Sequence, residues 1–155
     1  MNCIGKNCYC ISGGKNKKDS TETQGGITSS KDHYSLLINK VTNYKDTTVP
    51  AKYYLSLNAA SKVLLSDSMT NSKGNFDLLL ADSNKVTFTG AKCFNTPSGF
   101  ADAIGFQILL TEEQMKIIAA NPIVTVTAFG ILRTSFAPKK QIEQQKIVNC
   151  LLTNK

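Results

Sequence analysis

From Tyr34 onward, short apolar runs alternate with clusters of Gly, Asn, Ser, Asp and Pro. That rhythm predicts an antiparallel β-sandwich or barrel. In Tyr34 to Val41, Leu36 and Ile38 alternate with Leu37 and Asn39; in Lys52 to Leu57, Tyr53, Leu55 and Leu57 share one face against Tyr54 and Ser56. Lys62 to Ser66 and Phe76 to Ala81 bracket the loop-forming stretch Asp67 to Asn75, which predicts a hairpin. A turn at Asp82 to Asn84 leads into Lys85 to Thr89, with Val86 and Phe88 alternating against Thr87 and Thr89. Phe94 to Asp102 reads as a long loop carrying Phe94 and Phe100.

A different period interrupts the strands at Thr111. Thr111 with Gln114 three residues on makes a capping box, Leu110 and Met115 stand at hydrophobic-staple positions, and Glu112 and Glu113 suit the positive end of a helix. Asn121-Pro122 stops it, since Pro excludes the α conformation before it and donates no hydrogen bond. One short helix over about 111–121 is predicted, its Met115, Ile118 and Ala119 lying on the sheet. Pro122 to Phe129 and Ile131 to Phe136 then alternate as strands, and Ala137 to Lys140 reads as a turn. In residues 141–155, Gln141 to Lys146 suits a helix and Ile147 to Thr153 a strand; the favoured reading is a closing strand presenting Val148, Cys150 and Leu152 to the core.

Between Gly13 and Asp32 the apolar positions all but disappear. Gly13 to Asp32 holds one large apolar residue, Ile27, too little burial to offset the chain entropy of ordering. The expected organisation is therefore a flexible basic N-terminal arm over residues 1–33, with Lys15, Lys17 and Lys18 as candidate partner contacts, and one mainly β, sandwich-like domain over residues 34–155 with about seven to nine strands. MNCIGKNCYC lacks the apolar stretch of a secretory signal, so the start is expected to be that of a cytoplasmic or an already processed product.

Composition sharpens the functional side mainly by exclusion. The formal charge of +7 in 155 residues raises an anionic partner, but every basic residue except Arg133 is Lys, and base reading rests mainly on the guanidinium fork. A lysine-mediated nucleic-acid role is thus an alternative rather than the first reading. With His33 the only histidine, no two-histidine metal or phosphoryl-transfer site can form within one chain. Glu112 and Glu113, adjacent on a helix, diverge by about 100° and are no carboxylate pair. Gly13-Gly14 lacks the Gly-Lys-Ser/Thr of a P-loop, and Asp67 to Asp77 fails the EF-hand order.

Five cysteines exclude a complete internal disulfide framework. Cys93 and Cys150 lie in apolar runs and read as buried thiols. Cys3, Cys8 and Cys10 form the one unusual cluster. They are a candidate zinc or copper site short of a fourth ligand, beside the alternatives of intermolecular disulfides, lipid attachment at Cys3, and free thiols. No cofactor is assigned.

Over Lys85 to Phe129, the succession of a Lys-Val-Thr-Phe strand, a Cys, an aromatic loop, a strand running into Leu-Thr-Glu-Glu-Gln, a short helix and Pro-Ile-Val-Thr-Val resembles small β-rich domains of bacterial surface and phage proteins. The likeness carries over no functional residue. The functional expectation is a non-enzymatic structural or interaction protein, a homo-oligomer or a subunit of a larger assembly of virion or cell-surface type, located in a virion, in host cytoplasm or on a bacterial surface. The alternative to it, besides nucleic acid, is a ligand- or glycan-binding module using Phe94 and Phe100.

Overall fold

The alternating faces become the inner surface of a single sheet in the computed structural model, which describes residues 11–16, 18, 20–32, 34–60, 66–96 and 103–153. In chain order the strands are β1 Ile11–Asn16, β2 Thr21–Ser29, β3 Ser35–Asn43, β4 Lys52–Ala60, β5 Lys73–Leu80, β6 Lys85–Thr96, β7 Ala103–Leu110, β8 Ile123–Ala128 and β9 Leu132–Ser135. The helices are α1 Asp67–Thr70, α2 Glu112–Ala120 and α3 Pro138–Thr153. The spatial order is β1-β2-β3-β4-β7-β6-β5-β8-β9, antiparallel throughout.

The sheet curls into a half-barrel instead of facing a second sheet, which corrects the sandwich expectation. Its far strand reaches the β2–β3 turn: Lys31 N–H donates to Ser135 O at 3.0 Å, and the Thr134 hydroxyl donates to Asp32 at 2.8 Å. Alternation reports that one sheet face is buried but not what covers it. Here α2 and α3 cover it, over a core that includes Leu36, Ile38, Leu55, Leu57, Phe76 and Phe106. Among the described residues no helix is long and apolar enough to cross a membrane.

The main departure is α3, where a closing strand was expected. Pro138 stands at the first helical position, which its fixed φ suits, and Gln144, Ile147, Val148 and Leu151 are buried at helical spacing. The glutamines that blurred the apolar pattern fasten the helix. Gln141 donates to Phe136 O at 2.9 Å, Gln145 donates to Ala119 O at 3.1 Å, and Gln144 Oε1 accepts from Ile123 N–H at 2.9 Å.

Part of the stretch expected as an arm is paired in the sheet. Residues 1–10 lie outside the described residues, but β2 pairs with β3 along its whole length, from Thr21↔Asn43 to Ser29↔Ser35, and β1 pairs with β2 in turn. Its inner face is built from Gly26 and the buried Thr28 rather than large apolar groups, so composition alone concealed it. The hairpin expected for Phe76 to Ala81 has other partners: β5 is flanked by β6 and β8, while residues 61–65 lie outside the described residues. The expected loop from Phe94 begins later, since β6 continues to Thr96.

The locally encoded features stand. Thr111 Oγ1 accepts from Gln114 N–H at 3.2 Å while Gln114 Oε1 accepts from Thr111 N–H at 2.8 Å, the reciprocal bonds of a capping box, and Leu110 and Met115 are both buried.

Candidate interaction surface

Straight register carries one face of β2 through β3 and β4 to β7, so the outward positions can be read strand by strand. β2 presents Thr21, Thr23, Gly25, Ile27 and Ser29; β3 presents Ser35, Leu37, Asn39, Val41 and Asn43; β4 presents Lys52, Tyr54, Ser56, Asn58 and Ala60; β7 presents Gly105, Gln107 and Leu109. In a chain of net charge +7, Lys52 is the single charged side chain among them.

Across this neutral half runs an apolar ridge. Ile27 pairs with Leu37, Tyr54 pairs with Leu109, and Leu37, opposite Ser56, stands diagonal to Tyr54. Ile27 is 58% and Leu109 57% exposed, with Leu37 and Tyr54 half-buried between them. Uncharged polar groups flank the ridge, among them Gln107, which donates to the Ser56 hydroxyl at 3.1 Å. The signal was present in the sequence as apolar pairs such as Leu36-Leu37 and Tyr53-Tyr54, where the phase that alternation reserves for solvent is apolar too.

The outward side of β6, β5, β8 and β9 has the opposite character, with Lys73, Lys85, Lys92 and Arg133 around one carboxylate, Asp77. The Thr87 hydroxyl donates to Asp77 at 2.7 Å and the Lys85 ammonium lies 3.1 Å away; together they hold its carboxyl below the usual carboxylate range.

At the β2–β3–β4 end of the concave side lies a cavity of about 530 Å³, lined by Glu22, Gln24, Lys40, Tyr44 and Val49 among others. Lys40, 6% exposed, donates to Leu151 O at 2.9 Å and lies 5.9 Å from the Tyr53 ring centroid. It places a cation at the carbonyl end of α3, where the helix dipole favours one. Burial pushes its pKa down, opposed by the Glu112 carboxylate. The cavity has the volume of a small-molecule site and one charge of each sign, so its recognition would rest on hydrogen bonding rather than net charge.

Phe94, read as a stacking residue, is half-buried with its ring over Gly105 on the neighbouring strand, where a Cβ would collide with it. That ring packs against the backbone of β7. Phe100, Cys3, Cys8, Cys10, Lys17 and His33 lie outside the described residues. Lys15 falls on β1 opposite Glu22, and Lys18 is exposed. Cys93 is a buried free thiol whose sulfur donates to Met69 O at 2.8 Å, and burial raises its pKa. Cys150, expected as a buried thiol, is disulfide-bonded. Among the described residues no three His, Cys, Asp or Glu side chains gather as a metal site.

No family model, curated protein or solved structure matches the chain. The functional reading therefore rests on the surface itself.

Proposed function

We propose that the protein is a non-enzymatic interaction subunit of a larger assembly that associates with copies of itself through the neutral half of its convex face. The observation carrying this reading is the near absence of charge from the outward positions of β2, β3, β4 and β7, together with the Ile27-Leu37-Tyr54-Leu109 ridge. Depletion of charge at the centre with aromatic and aliphatic groups retained is the compositional mark of an interface core. Two copies each carrying +7 repel over most of their surfaces, and this half is where they approach without that penalty. Its size is adequate. Four strands of eight or nine residues span about 19 by 30 Å at ordinary sheet spacings, approaching the roughly 800 Å² per partner of a standard interface.

Sedimentation velocity over a concentration series tests the reading with the doubly substituted chain Ile27→Lys/Leu109→Lys. Both side chains are more than half exposed, so the substitutions leave the fold intact. The native chain is expected to sediment faster as concentration rises, and the variant to remain monomeric. Identical concentration dependence in the two chains contradicts the proposal.

A further inference from the structure

In the middle of the sheet, one ladder stops early. β6 and β7 pair from Lys92↔Gln107 to Thr96↔Ala103 and no further. Beyond Lys92, β6 stays joined to β5 as far as Leu79↔Lys85, and β7 stays joined to β4 up to Tyr53↔Leu110, but no pairing links Val86–Gly90 to Ile108–Leu110. The cause is local. Between Phe88 and Ala91, β6 carries an extra residue relative to β5, with Gly90 in the left-handed region at φ 77°. A bulge of this kind bends and twists the strand that carries it. On the inner side, α2 faces this part of β6, with Gln114, Ile117 and Ile118 lining a small cavity together with Leu78, Val86 and Phe88.

What remains is a notch open on the convex side, a cavity of about 380 Å³ lined by Tyr54, Phe88, Gly90, Lys92, Gln107 and Leu109 among others. The strand edges of β6 and β7 border it, and unpaired strand edges are templates for another strand. Its rim is cationic. Lys92 stands directly opposite Lys73 across the β5–β6 ladder, both exposed and neither in an ion pair among the described residues. Like charges directly opposite are destabilising, so this pair is an unrelieved feature that an anionic group would resolve.

We propose that the notch is a docking slot for an extended acidic peptide segment of a partner protein, which adds a short strand to the free edge of β6. The alternate backbone groups of Val86–Gly90 that face away from β5 supply the pairing, as in other strand-addition modes of recognition. On one face of the added strand, an apolar side chain meets Tyr54 and Leu109, and two residues along a carboxylate meets Lys92 and Lys73. The slot goes beyond the docking face described above; it shares Tyr54 and Leu109 with that face but stands on a different observation, the broken ladder.

The test uses the full chain and a capped synthetic peptide repeating Val-Ser-Glu-Ser, with Val-Ser-Lys-Ser and Val-Ser-Gln-Ser repeats as comparators. Amide hydrogen exchange is read at those amides of Val86–Gly90 that point away from β5. The Glu peptide is expected to slow exchange there about five- to ten-fold, the factor one net hydrogen bond supplies, with less effect from the Gln peptide and none from the Lys peptide. The charge-reversed chain Lys73→Glu/Lys92→Glu, altered only at exposed positions, is expected to prefer the Lys peptide. Three results would each overturn the slot: no slowing by any peptide, equal slowing by the Glu and Lys peptides, or full protection of these amides without peptide. Because the readout is local exchange rather than sedimentation, failure here and failure of the docking face are told apart. Ile27→Lys alone weakens the face and leaves the slot.

Discussion

Phe129 shows how a single side chain is held by distant partners. It lies between β8 and β9 with φ 55°, a conformation that strains a bulky residue. Its ring packs 5.3 Å from that of Phe106 and over Gly74, where a Cβ would strike it, and its N–H donates to Asn75 O at 2.8 Å. The bare backbone at Gly74 and the turn at Phe129-Gly130 are thus two halves of one contact. Asp77 gives a testable case at the same scale. Its carboxyl pKa is lowered by folding, chiefly through the Thr87 hydroxyl. A depressed carboxylate contributes stability above its unfolded pKa and loses it as pH falls through the folded one. Asp77→Asn should therefore be less stable than the native chain near neutral pH, by under about 1 kcal/mol for such an exposed pair. That difference should vanish below the ordinary carboxylate range. Urea melts across a pH series check this, and a gap that persists unchanged into strong acid would contradict it. Contacts between chain neighbours, such as the Thr111–Gln114 capping box, were legible in the sequence because both partners lie within one turn. Phe129 with Gly74, or Phe94 with Gly105, was not legible, because each contact depends on strand register fixed elsewhere.

At the scale of elements, most strands and α2 follow from patterning, whereas β1, β2 and α3 do not. β2 was hidden because its burial is supplied by Gly and Thr, which composition reads as loop. α3 was hidden because its buried stripe includes Gln144, so that Val148, Cys150 and Leu152 could be read at period two just as Ile147, Val148 and Leu151 can be read at helical period. Tertiary hydrogen bonds decide the matter, and Gln144 at zero exposure is the clearest of them. Gln144→Leu leaves the Ile123 N–H without its acceptor, yet also removes the buried Nε2, which has no partner among the described residues. These effects oppose one another, so a loss of about 1 kcal/mol is expected, the lower end of the range for an unmet buried group. Gln145→Leu, on the half-buried side of the helix, should lose less. Denaturant melts of both variants check the order; equal losses would mean that α3 is held by its apolar residues alone.

At the scale of the whole molecule, a single sheet wraps α2 and α3, and its outside is divided between a neutral half and a lysine-rich half. The charge total of +7 was plain in the sequence, but its segregation was not, since the outward rows are assembled from strands far apart in the chain. Phe94 and Phe100 stand out in the sequence as aromatics among turn formers, while the neutral half is made of residues each unremarkable alone. The proposal that copies meet on the neutral half is tested most directly by hydroxyl-radical footprinting at increasing protein concentration. Tyr54, at the centre of the ridge, is predicted to become progressively protected while Tyr44, on the loop after β3, keeps a constant rate of modification. Tyr54 reactivity that stays constant while larger species accumulate would mean that the copies meet elsewhere, and would contradict the account.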